Sequence, residues 1–87
     1  MIANWKMNGN RELTKTMSAA LREKLNQLQQ VNLVICPPFT LIGELANPCY
    51  YDDIAIGAQN VSEHTGGAFT GEISIAQLQE FGVSYVL

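Results

Sequence analysis

Asn4-Trp5-Lys6-Met7-Asn8-Gly9 sets an amide and an ammonium two residues apart in a run that breaks at Asn8-Gly9. Side chains alternate along a strand. The pattern therefore predicts a strand over Ile2 to Met7, with Asn4 and Lys6 on one face and Trp5 and Met7 on the packing face. Asn4 and Lys6 then lie at the strand's C-terminal end, where parallel α/β sheets and barrels bind their ligands. A lysine buried there is costly unless an anion or a carboxylate stands beside it. The other reading is a strand-end lysine that snorkels to water, and spacing alone leaves both open.

Outward from that run, short apolar stretches alternate with helical periods. Arg11 to about Gln29 is expected as an amphipathic helix, because Leu13, Met17, Leu21, Leu25 and Leu28 recur every three or four residues. Asn10 stands where its N-cap belongs. Asn32 to Cys36 reads as a second strand closed by Pro37-Pro38, which can neither extend a ladder nor continue a helix interior. Phe39 to Ala46 reads as a short helix burying Leu41, Ile42 and Leu45. Asn47 to Asp53 is a polar connection, and Ile54 to Gln59 a third strand. Ser74 to Phe81 carries a capping box, Ser74 with Gln77, and Gly82 stands in the left-handed closing position. Val83 to Leu87 opens a fourth strand. The order βαβαβαβ implies right-handed crossovers and a parallel sheet.

Composition narrows the classes. The 87 residues are 47% apolar and only 15% charged, which suits a folded chain in the size range of one small domain. A net charge of -3 offers no basic patch for nucleic acid or an anionic membrane. No apolar run approaches the ~20 residues of a membrane span, and the first residues lack a signal peptide's apolar region. Cys36 and Cys49 lack CxxC or zinc spacing, and the lone His64 cannot complete a metal set. Both cysteines read as buried or half-buried thiols of a reducing cytoplasm. The chain starts inside one strand and stops inside another, which would leave an open sheet edge and apolar faces uncovered. The expectation is that residues 1–87 are an N-terminal piece of something larger.

Three motifs, taken together, resemble a known family. Asn4-Trp5-Lys6-Met7-Asn8-Gly9, Cys36-Pro37-Pro38-Phe39, and Gly57-Ala58-Gln59-Asn60 running on through Gly66-Gly67-Ala68-Phe69-Thr70-Gly71-Glu72-Ile73-Ser74 are similar, in order and separation, to triosephosphate isomerases. The resemblance implies a (β/α)8 barrel of about 250 residues, of which this chain carries the first three βα units and the start of strand four. It implies a cytoplasmic, homodimeric enzyme of glycolysis and gluconeogenesis with no cofactor and no metal, acting on a triose phosphate. Asn4, Trp5 and Lys6 correspond to the substrate-binding segment, with Lys6 as the electrostatic catalytic residue. The family's electrophilic histidine and catalytic glutamate follow later strands, beyond Leu87. On that ground the 87 residues alone are expected to be inactive. Trp5, although inside the segment, reads as a packing residue between strand one and the outer helices.

Asn60 to Ile73 is long for a connection in a compact domain, and such loops are commonly functional or disordered. Gly66, Gly67 and Gly71 supply sharp turns, and Phe69 has little local core to join. A phosphate cradle is a poor account, since Gly-Gly-Ala-Phe-Thr-Gly-Glu lacks the Walker lysine and does not open a helix directly after a strand. The resemblance makes this loop a dimer contact, with Phe69, Thr70 and Glu72 at the interface and Gln59 and Asn60 as supporting hydrogen-bonders near it. His64 reads as a loop or interface residue, not a catalytic imidazole. Glu63, Glu72 and Glu80 do not match the family's base, and Cys36 matches no nucleophile. Two alternatives stand beside that reading: a barrel acting on another phosphosugar, and a small doubly wound module that binds a partner through the long loop.

Overall fold

Alternating apolar runs and helical periods fold as a wound βα chain. A computed structural model describes residues 1–27, 32–47 and 54–87. Its elements are β1 (Ile2–Asn4), α1 (Arg11–Gln27), β2 (Leu33–Cys36), α2 (Phe39–Leu45), β3 (Ile54–Ala58), α3 (Ile75–Gln79) and β4 (Val83–Val86). Each strand pairs in parallel with its successor, so the sheet order is β1-β2-β3-β4. That order never reverses. Doubly wound sheets have a reversal at their ligand crevice, whereas a barrel wall advances one strand at a time. The sheet of the described residues is therefore a stretch of barrel wall and not a doubly wound sheet.

β2 is buried along its whole length, as its unbroken Leu-Val-Ile-Cys run requires of a parallel strand covered on both faces. Ile35 and Leu45 are fully buried at the centre of the core, joined by Ile56 of β3 and Leu78 of α3. On the outer strands Ile2 and Tyr85 are exposed. Gly57 in β3 is a close-approach glycine: a Cβ there would stand 2.5 Å from Cys36 Sγ and 3.2 Å from Val34 Cγ1. The ladder to β4 slips by one residue at the same place.

The expected stripe of α1 is displaced in its first half. Its most buried residues are Thr14 and Ser18, at 0% and 1% exposure, while Leu13 and Met17 remain 45% and 37% exposed. The buried face runs through Thr14, Ser18, Leu21 and Leu25, so the expected stripe holds at Leu21 and Leu25 and shifts by one residue over Leu13 and Met17. Hydroxyls are tolerated there because each donates back into the helix, Thr14 Oγ1 to the Asn10 carbonyl at 2.7 Å and Ser18 Oγ to that of Thr14. Asn10 caps as expected, its Oδ1 accepting the Leu13 N–H at 2.7 Å. Leu28 and Gln29 lie outside the described residues, as do Cys49 and most of the polar connection.

α2 buries Leu41, Ile42 and Leu45 as read from the sequence, and Glu44 ties it to α1 through Arg11 and Lys15. α3 has both arms of its capping box, and Gly82 closes it at φ 73°.

The first strand is shorter than expected. β1 stops at Asn4, and the alternation predicted through Met7 stops with it. Met7 is 94% exposed instead of packing. The reason is local: Asn4 Oδ1 accepts the N–H of Lys6 at 2.9 Å, and Lys6 turns to φ 55°. An asparagine bonded to the backbone two residues on builds its own turn in place of a ladder.

Candidate functional site at the C-terminal strand ends

The carboxyl ends of β1, β2 and β3 are drawn together by one side chain. Gln59 leaves the end of β3 and its Nε2 donates to the Lys6 carbonyl at 2.7 Å and to the Cys36 carbonyl at 3.0 Å. The Cys36 carbonyl also accepts the Trp5 N–H at 3.0 Å, which carries the β1–β2 ladder one step past the strand. A carbonyl oxygen has two lone pairs, and both are used here. Asn4, Lys6 and Gln59 thus share one rim, although more than fifty residues of chain separate the last two.

Lys6 is the only non-glycine residue with a positive φ among the described residues. For an L-residue that conformation costs about 1–2 kcal/mol. Its N–H is bonded to Asn4 and its carbonyl to Gln59, so the strained unit is held from both sides. The side chain is exposed and makes no ion pair among the described residues. The counter-charge expected of a buried lysine is therefore not demanded within this chain. What remains is a cation of fixed origin with an open approach.

Trp5 packs against the core. Its ring packs under Gly9, where a Cβ would meet Trp5 Cε3 at 3.0 Å and Leu41 Cδ1 at 3.1 Å. The Asn8 amide donates to the Trp5 carbonyl at 2.9 Å and closes the turn. Gly9 itself has φ 101°, which glycine adopts without penalty.

The connection from Asn60 to Ile73 is separately organised. Ser62 N–H donates to the Ile73 carbonyl at 2.8 Å and pins its base, and Ser62 Oγ accepts the His64 N–H at 3.1 Å. Phe69 does find a partner: its ring stacks on His64, centroids 3.7 Å apart and planes 4° from parallel. The Glu72 N–H donates to the Phe69 carbonyl at 3.1 Å. Phe69, Thr70 and Glu72 are all exposed, and so is Asn60. Within the chain, the rim joins Asn4, Lys6 and Gln59, while Phe69, Thr70 and Glu72 stand together on the loop.

Cys36 is fully buried, and burial pushes its thiol above the ordinary value. That suits packing against Gly57, not nucleophilic work. No helix among the described residues is long and apolar enough to cross a membrane.

Reading the sequence as a strand through Met7 missed the turn at Lys6 and the double bond from Gln59. Asn4, two residues ahead of the turn and able to bond the backbone there, is the signal that marks the first. Nothing local marks the second.

The family model for triosephosphate isomerase matches residues 1–87. A triosephosphate isomerase of Idiomarina loihiensis is 95% identical over the whole chain, which covers 34% of that protein. One from Histophilus somni is 39% identical, again over the whole chain and 34% of its own length. The crystal structure of triosephosphate isomerase from Bartonella henselae superposes with a TM-score of 0.80 at 31% identity, covering 99% of this chain and 35% of that one. The chain thus spans about a third of the length of the curated relatives it matches.

Proposed function

Since the chain belongs to the triosephosphate isomerase family, we propose that it forms the N-terminal wall of a triose-phosphate isomerase barrel and supplies that enzyme's fixed cation. The reaction interconverts dihydroxyacetone phosphate and D-glyceraldehyde 3-phosphate through an enediolate. Both the phosphate and the enediolate oxygen are anionic, so a positive charge already in place stabilises binding and the developing charge together. Lys6 is that charge. Asn4 lies beside it with its carboxamide oxygen committed to the Lys6 N–H, which leaves its Nδ2 to face substrate. A compact ammonium suits the place better than the wide planar fork of arginine. The histidine electrophile and glutamate base of the family come from residues beyond Leu87.

In this reading the exposed loop carrying Phe69, Thr70 and Glu72 meets a second subunit, with Gln59 and Asn60 behind it, and the enzyme works in the cytoplasm without metal or cofactor. The observation that supports it most is the strained Lys6 backbone. A lysine held where glycine would be cheaper implies that its side chain is needed there.

The test is Lys6→Ala in the complete polypeptide, or in the Idiomarina loihiensis relative with this chain exchanged for its matching segment. The expected loss in kcat/KM is about 10²–10³-fold, or about 3–4 kcal/mol, as for removing a preorganised charge. Near-normal kcat/KM would reduce Lys6 to a surface cation. The 87 residues alone should show no turnover.

A further inference from the structure

We propose that Gln59 is a positioning residue for Lys6: it clamps the Lys6 carbonyl to the end of β2 and so sets where the ammonium is aimed. The inference rests on the isomerase reading and deepens it. A carboxamide nitrogen has two N–H donors, and the geometry uses both, one on the Lys6 carbonyl at 2.7 Å and one on the Cys36 carbonyl at 3.0 Å. Two carbonyl acceptors on the same side also fix which end of the amide faces them, because the oxygen end would be repelled.

The anchor is rigid. Gln59 follows Ala58, which is fully buried and whose carbonyl accepts the Leu87 N–H at 3.0 Å. Cys36, the second acceptor, is buried too. Asn4 restrains the N–H side of Lys6 and Gln59 its carbonyl side, with the φ of 55° between them. Releasing the carbonyl lets the residue relax toward negative φ. The side chain would then leave the backbone in another direction, and the charge at the far end of a four-carbon stem would move most. A misplacement of about 1 Å in a reacting geometry costs on the order of 10²-fold in rate.

The experiment uses the complete enzyme carrying this chain. Gln59→Met keeps the length and removes both donors. The expected result is a roughly 10- to 100-fold fall in kcat/KM. In a Lys6→Ala background the same substitution should change kcat/KM by less than about threefold, since the group it aims is gone. A merely structural role would lower the unfolding midpoint and persist in both backgrounds. Gln59→Glu gives an independent reading. Its carboxylate has no donor, but the protonated acid donates one hydrogen bond, so its kcat/KM relative to the parent should rise as pH is lowered.

An unchanged kcat/KM in Gln59→Met, or an undiminished effect in the Lys6→Ala background, overturns the proposal. So does failure of both variants to fold. If Gln59→Met alone fails to fold, the pH profile of Gln59→Glu decides. Loss of activity in Lys6→Ala with none in Gln59→Met would sink this inference and leave the isomerase reading standing. Full activity in Lys6→Ala would sink that reading itself.

Discussion

The connection after β1 and the connection after β3 both bend the chain at the same rim, and they do it with different materials. After β3, positive φ falls on glycines: Gly67 at 117° and Gly71 at 85°. The loop is then held by its own parts, Ser62 on Ile73, His64 on Phe69, and Phe69 on Glu72. After β1, positive φ falls on a lysine as well as on Gly9, and the bend at Lys6 is held partly from a distant strand by Gln59. Glycine bends cheaply and offers no chemistry. A lysine in the same kind of bend is strained, and neighbours must over-determine it. On the proposed function, the contrast assigns chemistry to the first connection and shape to the second.

That contrast can be strained at the strands themselves. Gly57→Ala would drive a Cβ to 2.5 Å from Cys36 Sγ, next to the residue whose carbonyl Gln59 holds. The expected cost is about 1–3 kcal/mol in denaturant unfolding of the complete protein. Adding Cys36→Ala should return part of it. No recovery would show that the thiol contact is not what makes glycine necessary.

A direct comparison of the two bends comes next. Gly71→Ala meets nothing within 4 Å, so its cost is backbone strain alone, about 1 kcal/mol. Lys6→Gly relieves the same strain and should stabilise by roughly 0.5–1 kcal/mol, after allowing for the freer unfolded chain. Shifts of the same sign in thermal or denaturant unfolding would erase the distinction between the connections.

The smallest effect lies at the exit of the long loop. Ser74→Ala removes the oxygen that accepts the Gln77 N–H at 3.2 Å and should cost about 1 kcal/mol or less. Because the capping box closes locally, kcat/KM of the complete enzyme should hardly change. A large loss of activity would mean that the second connection is coupled to the chemistry after all.

Much of the fold was readable residue by residue. The capping box at Ser74 and Gln77, the stop at Gly82, and the burial of Leu41, Ile42 and Leu45 rest on interactions within a few positions, and each is where the pattern put it. The stripe of α1 holds at Leu21 and Leu25 and fails at Leu13 and Met17, because periodicity counts apolar residues, while burial also depends on which face meets the neighbouring elements. Thr14 and Ser18 fit there by returning their hydroxyls to the helix. At the rim, Asn4, Lys6 and Gln59 were all singled out from the chain. How they are joined was not.

What the chain alone decided is order and punctuation: which runs are strands, which are helices, where they stop, and which polar side chains stand at strand ends. These depend on local conformational preference and short-range hydrogen bonds. Tertiary structure decided that Gln59 reaches Lys6 and Cys36, that Gly57 must leave room for a thiol, and that Lys6 keeps an unfavourable backbone angle. Each of these needs groups from different strands to arrive within a few ångströms of one another, and pairing in register is what brings them there.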